Sequence, residues 1–178
     1  MRVLDTSRLS LRRLTTGDAA FIQRLLNEPS FLQYIGDRGV RTLEDACRYI
    51  ETGPIAMYAR VGFGLFLVEL KDSGVPIGIC GLLKRDTLDD VDVGFAFVPE
   101  HWRQGYAFES ASAVIEYGRT AHGLMRVVAI TSLDNPPSIS LLEKLGFAFE
   151  RTIRLTEDGE ELRLFGLSTA PKETEGAS

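Results

Sequence analysis

Apolar and polar residues recur along the chain in patterns that predict a mixed set of strands and helices. Residues 8–14 alternate apolar with charged side chains, as a strand with one solvated face does. Residues 63–70 are apolar on both faces, which predicts a central strand covered by helices. Turn residues separate this strand from the next two, so three strands should follow one another as an antiparallel meander. The predicted strands are 8–14, 63–70, 75–83, 91–98, 126–131 and a closing hairpin of 147–155 with 160–167.

Four helices are predicted between these strands from the residues that start and end them. Two follow the spacing of a capping box, in which a threonine precedes an aspartate by three positions. The other two end at a glycine placed to adopt the left-handed conformation after the last helical turn. The marker residues are Thr15 with Asp18 and Pro29, Thr42 with Asp45 and Gly53-Pro54, Gly105 with Gly123, and Asn135 with Gly146.

Length and composition agree with one globular domain. The chain has 178 residues, of which 44% are hydrophobic and 25% charged, enough for a core of its own. We therefore expect a single domain over residues 1–178, in which the polar and small residues 168–178 form a flexible tail. The net charge of −5 argues against binding to nucleic acid or to an anionic membrane.

Cysteine and histidine are scarce in this chain. Cys47, Cys80, His101 and His122 do not fall at the spacing of metal ligands, so no metal site is expected. Nothing indicates a disulfide framework, and the N-terminus lacks the apolar run of a signal peptide. No segment is long enough to span a membrane. Together these features predict a cytoplasmic protein.

The most informative stretch is residues 97–107, where a strand runs through a short loop into a helix. Arg103, Gln104 and Gly105 open this helix, so several backbone N–H groups point outward at its N-terminus. The helix dipole favours negative charge there, and Gly105 has no side chain to hold a ligand away. Such a loop is suited to a phosphate or pyrophosphate. The Gly-x4-Gly-Lys-Ser/Thr pattern of nucleotide hydrolases is missing, which argues against that class.

Two segments together resemble the GNAT acetyltransferase superfamily. Residues 102–107, Trp-Arg-Gln-Gly-Tyr-Ala, are similar to the loop that binds the acyl-CoA pyrophosphate in that family. Residues 135–147, which begin with Asn-Pro-Pro-Ser and end with Gly-Phe, resemble the family's asparagine-to-Gly-Phe segment. The resemblance extends over residues 8–167. It implies an α/β GNAT fold, a mixed and mostly antiparallel sheet with flanking helices and a central strand pair that splays apart to hold acetyl-CoA.

Within the superfamily, the closer resemblance is to the RimJ/RimL-like subgroup, whose members modify protein N-termini and small amines. Residues 6–14 and the run from Gly94 to Ala111 carry this resemblance. Trp102 departs from the glutamine or arginine that the wider family has at the start of the loop, but the subgroup commonly has tryptophan there. A homodimer is left open, because many relatives dimerise.

The resemblance also implies which residues hold the cosubstrate. Backbone N–H groups near Phe97 and Val98 would bind the pantetheine, and one in this region would polarise the thioester oxygen. The loop would bind the pyrophosphate, and Asn135 matches the family's pantetheine-contacting asparagine. The expected cofactor-binding residues are Phe97, Val98, Arg103, Gln104, Gly105, Tyr106, Ala107, Asn135 and Ser138.

Two catalytic residues are expected, each with a simpler alternative. Many family members have a tyrosine as general acid at the position of Leu142, and leucine cannot donate a proton. Ser138 is the substitute that the subgroup suggests, because a thiolate with a pKa near ~8.5 needs only a modest acid. Its alternative role, like that of Asn135, is to satisfy N–H groups of the first helical turn. Asp92 is the expected general base, and its alternative is an ordinary solvated residue near a strand start.

The resulting hypothesis is an N-acetyltransferase that moves acetyl from acetyl-CoA to a primary amine by direct attack in a ternary complex. Neither cysteine has a histidine neighbour that would activate it, which argues against an acyl-enzyme. The amine could belong to a protein N-terminus or to a small molecule. From a different class, a non-catalytic acyl-CoA-binding sensor is the alternative.

Overall fold

The computed structural model describes residues 1–170, in which eight strands form one sheet with helices on both faces. The strands are β1 (Arg2–Asp5), β2 (Leu9–Arg13), β3 (Leu65–Leu70), β4 (Pro76–Leu83), β5 (Asp92–Phe97), β6 (Arg126–Ser132), β7 (Ala148–Ile153) and β8 (Leu162–Ser168). The helices are α1 (Ala19–Leu26), α2 (Pro29–Tyr34), α3 (Leu43–Ile50), α4 (Ala56–Val61), α5 (Tyr106–His122) and α6 (Pro136–Lys144). Ser168, the first residue of the predicted tail at 168–178, instead ends β8 opposite Arg126, and from residue 171 onward the predicted tail lies outside the described residues.

The sheet confirms the mixed, mostly antiparallel architecture. Its strand order is β1-β2-β3-β4-β5-β6-β8-β7, and β5 with β6 is the one parallel pair. The hairpin of β7 and β8 folds back so that β8, and not β7, pairs with β6. Helix α5 connects β5 to β6, as a parallel pair requires a crossover connection.

The parallel pair β5 and β6 diverges soon after it begins. Asp92 opposite Val128 is the one register position at which the two strands pair within residues 1–170. The amide of Val128 there donates to the carbonyl oxygen of Val91 at 2.9 Å. Both strands continue for several residues without further pairing, β5 to Phe97 and β6 to Ser132. A gap therefore opens toward their carboxyl ends, which is the splayed strand pair that was expected.

Two apolar clusters, one on each face of the sheet, hold the helices in place. Side chains of β3 alternate between them, so Phe66 and Val68 pack toward α5 whereas Leu67 packs toward α1 and α3. This confirms β3 as a strand buried on both faces. Helix α5 approaches the sheet closely at Gly118, where an added Cβ atom would lie 2.8 Å from a methyl carbon of Leu82.

Helix starts and ends were predicted well, with two exceptions. The capping boxes at Thr15 and Thr42 form as predicted. The first exception is helix α2, which was not predicted. Pro29 lies after the end of α1, as expected, but it also begins α2. The predicted stop at Gly53-Pro54 is wrong. The chain continues through a π-helical turn at Glu51–Ile55 into α4, since a wider turn accommodates proline, and α4 ends at Gly62.

The N-terminal strand β1 was also missed. It pairs antiparallel with β2 through a short and irregular register, at the edge of the sheet. Its four residues are too few for a recognisable alternation, so only the pairing with β2 reveals it.

Candidate functional site

A cavity of about 1330 Å³ lies between the diverging strands β5 and β6. Its walls come from β5 and β6, from the loop that opens α5, from the first turns of α6, and from the α1–α2 and α2–α3 connections. Most of the residues expected to form the site reach it: Asp92, Phe97, Arg103, Gly105, Tyr106, Ala107, Asn135 and Ser138. Val98 and Gln104 do not line the cavity.

The loop before α5 presents backbone N–H groups toward this cavity. Gly105 precedes α5 with a φ of 82° and makes no side-chain cap, and Arg103 also adopts a positive φ, of 60°. Such angles are strained for arginine but ordinary for glycine. Within residues 1–170, the amides of Arg103, Gln104 and Gly105 have no hydrogen-bond partner. The amides of Arg103 and Gly105, which line the cavity, and those of the first helical turn are therefore arranged as an anion would require, and we call residues 102–107 the anion-binding loop.

A cluster around Arg8 holds this loop from outside, and the sequence reasoning missed it. Glu109 of α5 accepts hydrogen bonds from the Arg8 amide (2.9 Å), the Arg8 Nε (2.7 Å) and the Thr6 hydroxyl (2.6 Å). The Arg8 guanidinium also donates to the Gln104 carbonyl at 2.9 Å and lies 4.4 Å from the centre of the Tyr106 ring. Glu109 therefore keeps a positive charge beside the anion-binding loop. Burial opposes the ionised carboxylate, but these hydrogen bonds outweigh it and lower the pKa of Glu109.

Strand alternation decides which amides of β5 face the gap. The Val98 amide donates toward β4, to the carbonyl of Ile77 at 3.0 Å, whereas the Val91 carbonyl points toward β6. Because successive residues of a strand point their N–H groups to opposite neighbours, Phe95 and Phe97 direct theirs into the gap. Phe97 thus suits its expected role, but the Val98 amide is already engaged in the sheet. Phe95 is an additional donor that sequence alone did not single out.

Trp102 is anchored at the mouth of this gap. Its indole Nε1 donates to the carbonyl oxygen of Phe97 at 2.8 Å, and the ring remains partly exposed. The tryptophan that distinguishes the loop from the wider superfamily therefore links the end of β5 to the anion-binding loop.

Helix α6 places Asn135 and Ser138 in the opposite wall. The Asn135 side chain caps the helix by accepting from the Ser138 amide, at a long 3.4 Å. Asn135 is thus an N-cap that also lines the cavity, and the Ser138 hydroxyl has no partner within residues 1–170. Leu142, one turn further along the helix, is buried and lines the same wall. Ser138 thus lies one helical turn before Leu142, the position expected of a general acid, and Ser140 of the same helix also lines the cavity.

Asp92 is buried beside an arginine at the start of β5. Its side chain is 1% exposed, and one carboxylate oxygen accepts a hydrogen bond from Arg85 Nε at 2.9 Å. Burial raises the pKa of Asp92 above the ordinary aspartate value, and the nearby Arg85 offsets only part of that rise. The alternative of a solvated surface residue is excluded by this burial. A buried carboxylate with a raised pKa that faces a cavity is a candidate proton acceptor.

Among the described residues, neither cysteine provides a second reactive centre. Burial raises the pKa of Cys80 to about 12, and Cys47 lies on α3 away from the cavity wall. His101 lines the cavity near Tyr106, with 6.3 Å between the ring centres. In the described part of the chain, no group of three or more His, Cys, Asp or Glu residues is placed to hold a metal ion. Nor is any helix within residues 1–170 long and apolar enough to cross a membrane.

Comparisons with known proteins agree with this geometry. A family model described as "Acetyltransferase (GNAT) domain" matches residues 8–148. The uncharacterized N-acetyltransferase YoaA of Bacillus subtilis (strain 168) is 32% identical over 154 residues, which are 85% of this chain and 86% of that protein. An acetyltransferase structure from Agrobacterium tumefaciens str. C58 has a TM-score of 0.79 at 23% identity, covering 92% of each chain. The structure of RimL, a ribosomal L7/L12 alpha-N-protein acetyltransferase in complex with coenzyme A, has a TM-score of 0.81 at 15% identity, covering 94% of this chain and 98% of that one.

Proposed function

The chain belongs to the GNAT acetyltransferase family, and on that premise we propose that it transfers acetyl from acetyl-CoA to a primary amine by direct attack in a ternary complex. Membership makes it an acetyl-CoA-dependent acetyltransferase; the primary amine and the direct attack are what the proposal adds. One observation carries it: a single cavity has both the anion-binding loop and the buried Asp92 carboxylate in its walls. Acetyl-CoA and the amine can therefore meet between β5 and β6.

The donor end of the cavity suits a pyrophosphate followed by a pantetheine. The unpaired amides of Arg103 and Gly105 provide donors for phosphate oxygens, and the Arg103 side chain adds a positive charge. The strand amides of Phe95 and Phe97 stand along the gap that an extended pantetheine would fill. Since the two strands no longer pair there, these amides are free to donate to a ligand.

The residues around the gap can perform each proton movement that acetyl transfer needs. When bound, acetyl-CoA supplies an activated acyl group as a thioester. A strand amide, from Phe95 or Phe97, stabilises the oxyanion as the carbon–nitrogen bond forms. Asp92 accepts the proton that the attacking amine loses, directly or through one water. Ser138 donates its hydroxyl proton to the sulfur as the carbon–sulfur bond breaks, and recovers a proton from solvent.

The cysteines support direct transfer. An acyl-enzyme would need a reactive thiolate within the cavity. Cys80 is buried with a pKa of about 12, and Cys47 does not line the cavity. The protein therefore has no cysteine suited to carry the acetyl group within residues 1–170.

The experiment that tests the proposal is a screen of acceptors by release of free CoA. The protein is incubated with acetyl-CoA and either peptides with free or blocked N-termini or small primary amines, and the free thiol is measured. We expect thiol release that depends on a free amine. Binding of acetyl-CoA without release for any acceptor would instead favour a sensor.

Ser138→Ala tests the proton donor within the same assay. The substitution keeps the helix cap, because Asn135 bonds to the backbone amide and not to the hydroxyl. We expect kcat to fall about 10²-fold if the serine supplies the proton. Ser112→Ala, at a half-buried serine of α5 that lies outside the cavity wall, is the matched control and should retain activity. Equal activity of both variants would assign the proton transfer to water.

A further inference from the structure

The cavity continues past Asp92 into a region lined by arginine and tyrosine side chains. Arg38, on the α2–α3 connection, and Arg85, after β4, both reach it, as does Tyr49 of α3. The anion-binding loop lies beyond the opposite end of β5, about 16 Å away for a strand of this length. These arginines therefore border the acceptor side and not the donor phosphates.

Both arginines line the same cavity as Tyr49. Both guanidinium groups lie near enough to Tyr49 to favour its ionised form, although burial still raises the pKa of Tyr49 overall. Arg85 in turn contacts Asp92 through its Nε, 2.9 Å from a carboxylate oxygen. Asp92, Arg85, Tyr49 and Arg38 thus all belong to the wall of one cavity, with Arg85 in contact with Asp92.

The protein leaves much of this positive charge without a partner. Arg85 uses only its Nε, and within residues 1–170 Arg38 forms no ion pair. Neighbouring Asp37 is paired with Arg41 at 2.5 Å instead. Of the carboxylates at this cavity, Glu28 pairs with Arg24, and Glu160 reaches it from the hairpin between β7 and β8. The terminal guanidinium nitrogens therefore have donors to offer a ligand.

Such an arrangement favours one chemistry in the acceptor. A simple cationic amine that approached Asp92 would meet the positive charge of Arg85, which contacts that carboxylate, and a second positive charge from the exposed Arg38 of the same cavity, which is unfavourable. A carboxylate on the acceptor would satisfy these guanidinium groups, which bind carboxylates with two parallel hydrogen bonds. Its amine would then lie beside Asp92 with an overall balance of charge.

We propose that Arg38 and Arg85 form a subsite for a carboxylate, so that the acceptor is a primary amine that also carries a carboxylate group. This inference rests on the proposed acetyl transfer to an amine. The carboxylate can be the α-carboxylate of a free amino acid or the side chain of an acidic first residue in a peptide. The shared feature is a negative charge a few bonds from the reacting nitrogen.

Matched pairs of acceptors test the subsite. Free amino acids, such as leucine, phenylalanine and glutamate, are compared with their carboxamides, and Asp-Ala-amide with Asn-Ala-amide, by kcat/KM for CoA release. We expect the carboxylate member of at least one kind of pair to be preferred by about tenfold or more, as for a charge-assisted hydrogen bond. Which kind of pair shows the preference identifies the source of the carboxylate.

Arg38→Gln assigns the preference to this side chain. In this variant the ratio of kcat/KM between carboxylate and amide should fall about tenfold, mainly through KM of the carboxylate acceptor. Arg48→Gln removes an exposed arginine of α3 that lies outside the cavity wall, and it should keep the wild-type ratio.

Three results would overturn the inference. Equal or better use of the amides would exclude a carboxylate subsite while leaving acetyl transfer to amines intact. A ratio unaffected by Arg38→Gln would show that the charge is recognised elsewhere. If none of the acceptors, acidic or neutral, causes release of CoA, the proposed function is refuted and this inference with it.

Discussion

Replacing Asp92 with asparagine should remove most of the activity without weakening the fold. Asparagine has nearly the same shape but can neither accept the amine proton nor carry the negative charge. General base catalysis contributes about 10²–10⁴-fold to the rate, so kcat/KM should fall by roughly that factor. The remaining activity would come from binding and from the backbone amides of β5.

Two opposing effects decide what this substitution does to stability. The Asp92 side chain is 1% exposed, so its ionised form loses most of its hydration, which is unfavourable. The ion pair with Arg85 at 2.9 Å offsets part of this free energy. The loss of hydration outweighs the ion pair, because the pKa of Asp92 is raised. When the pKa of a carboxyl is higher in the folded than in the unfolded protein, ionisation of that carboxyl opposes folding. The free energy of unfolding is therefore highest while the carboxyl is protonated, and it falls as the pH rises through the raised pKa.

Asparagine does not ionise, and it therefore removes this cost at neutral pH. Arg85 loses its partner but is 29% exposed, so water can solvate its guanidinium. We expect the free energy of unfolding of Asp92→Asn at neutral pH to equal or exceed that of the wild type. The excess should shrink as the pH is lowered toward the ordinary aspartate range, where the wild-type carboxyl is protonated too.

The assay combines kcat/KM from CoA release with urea unfolding at several pH values. Asp90→Asn is the matched control, since Asp90 lies two residues earlier, pairs with Arg126 at 3.1 Å and is partly exposed. It should retain activity. A fall of about 3–5 kcal/mol in the free energy of unfolding of Asp92→Asn would refute the reasoning, because that is the cost of removing one partner of a buried ion pair and leaving the other charge uncompensated. Full activity in Asp92→Asn would equally refute it.

Three further substitutions test the donor end and the core. Gly105→Val should weaken CoA binding about tenfold or more by calorimetry, since valine strongly disfavours a φ of 82°; an unchanged Kd would contradict the anion site. Glu109→Gln should raise KM for acetyl-CoA several-fold with little change in kcat, because Arg8 loses its carboxylate partner; an unchanged KM would make the cluster merely structural. Gly118→Leu should lower the free energy of unfolding by about 1–3 kcal/mol in urea, because its Cβ would lie 2.8 Å from Leu82; unaltered stability would show that α5 can shift.

Features with local causes were predicted from sequence. The capping boxes at Thr15 and Thr42 depend on residues three positions apart, and Gly123 ends α5 because of its own backbone freedom. The start of α5 is local in the same sense, because Gly105 stands directly before the helix that it opens. The resemblance to a family then supplied the splayed strands, which the single pairing of Asp92 with Val128 shows.

Features that depend on contacts distant in sequence were not predicted. Arg8 contacts Glu109 across 101 positions, and in its own segment it is simply a charged residue of an alternating strand. The orientation of the Phe95 amide follows from the strand register, which no local pattern specifies. Arg85 is near Asp92 in sequence, but their burial together against the cavity depends on how β4 and β5 pair.

Initial-velocity kinetics test the central claim, direct transfer within a ternary complex, most directly. Acetyl-CoA is varied at several fixed concentrations of an acceptor found in the screen, and the intact mass of the protein is measured after incubation with acetyl-CoA alone. Direct transfer predicts double-reciprocal lines that intersect and a protein mass that does not change. Parallel lines, together with a protein heavier by one acetyl group that passes it on to the acceptor, would contradict the account.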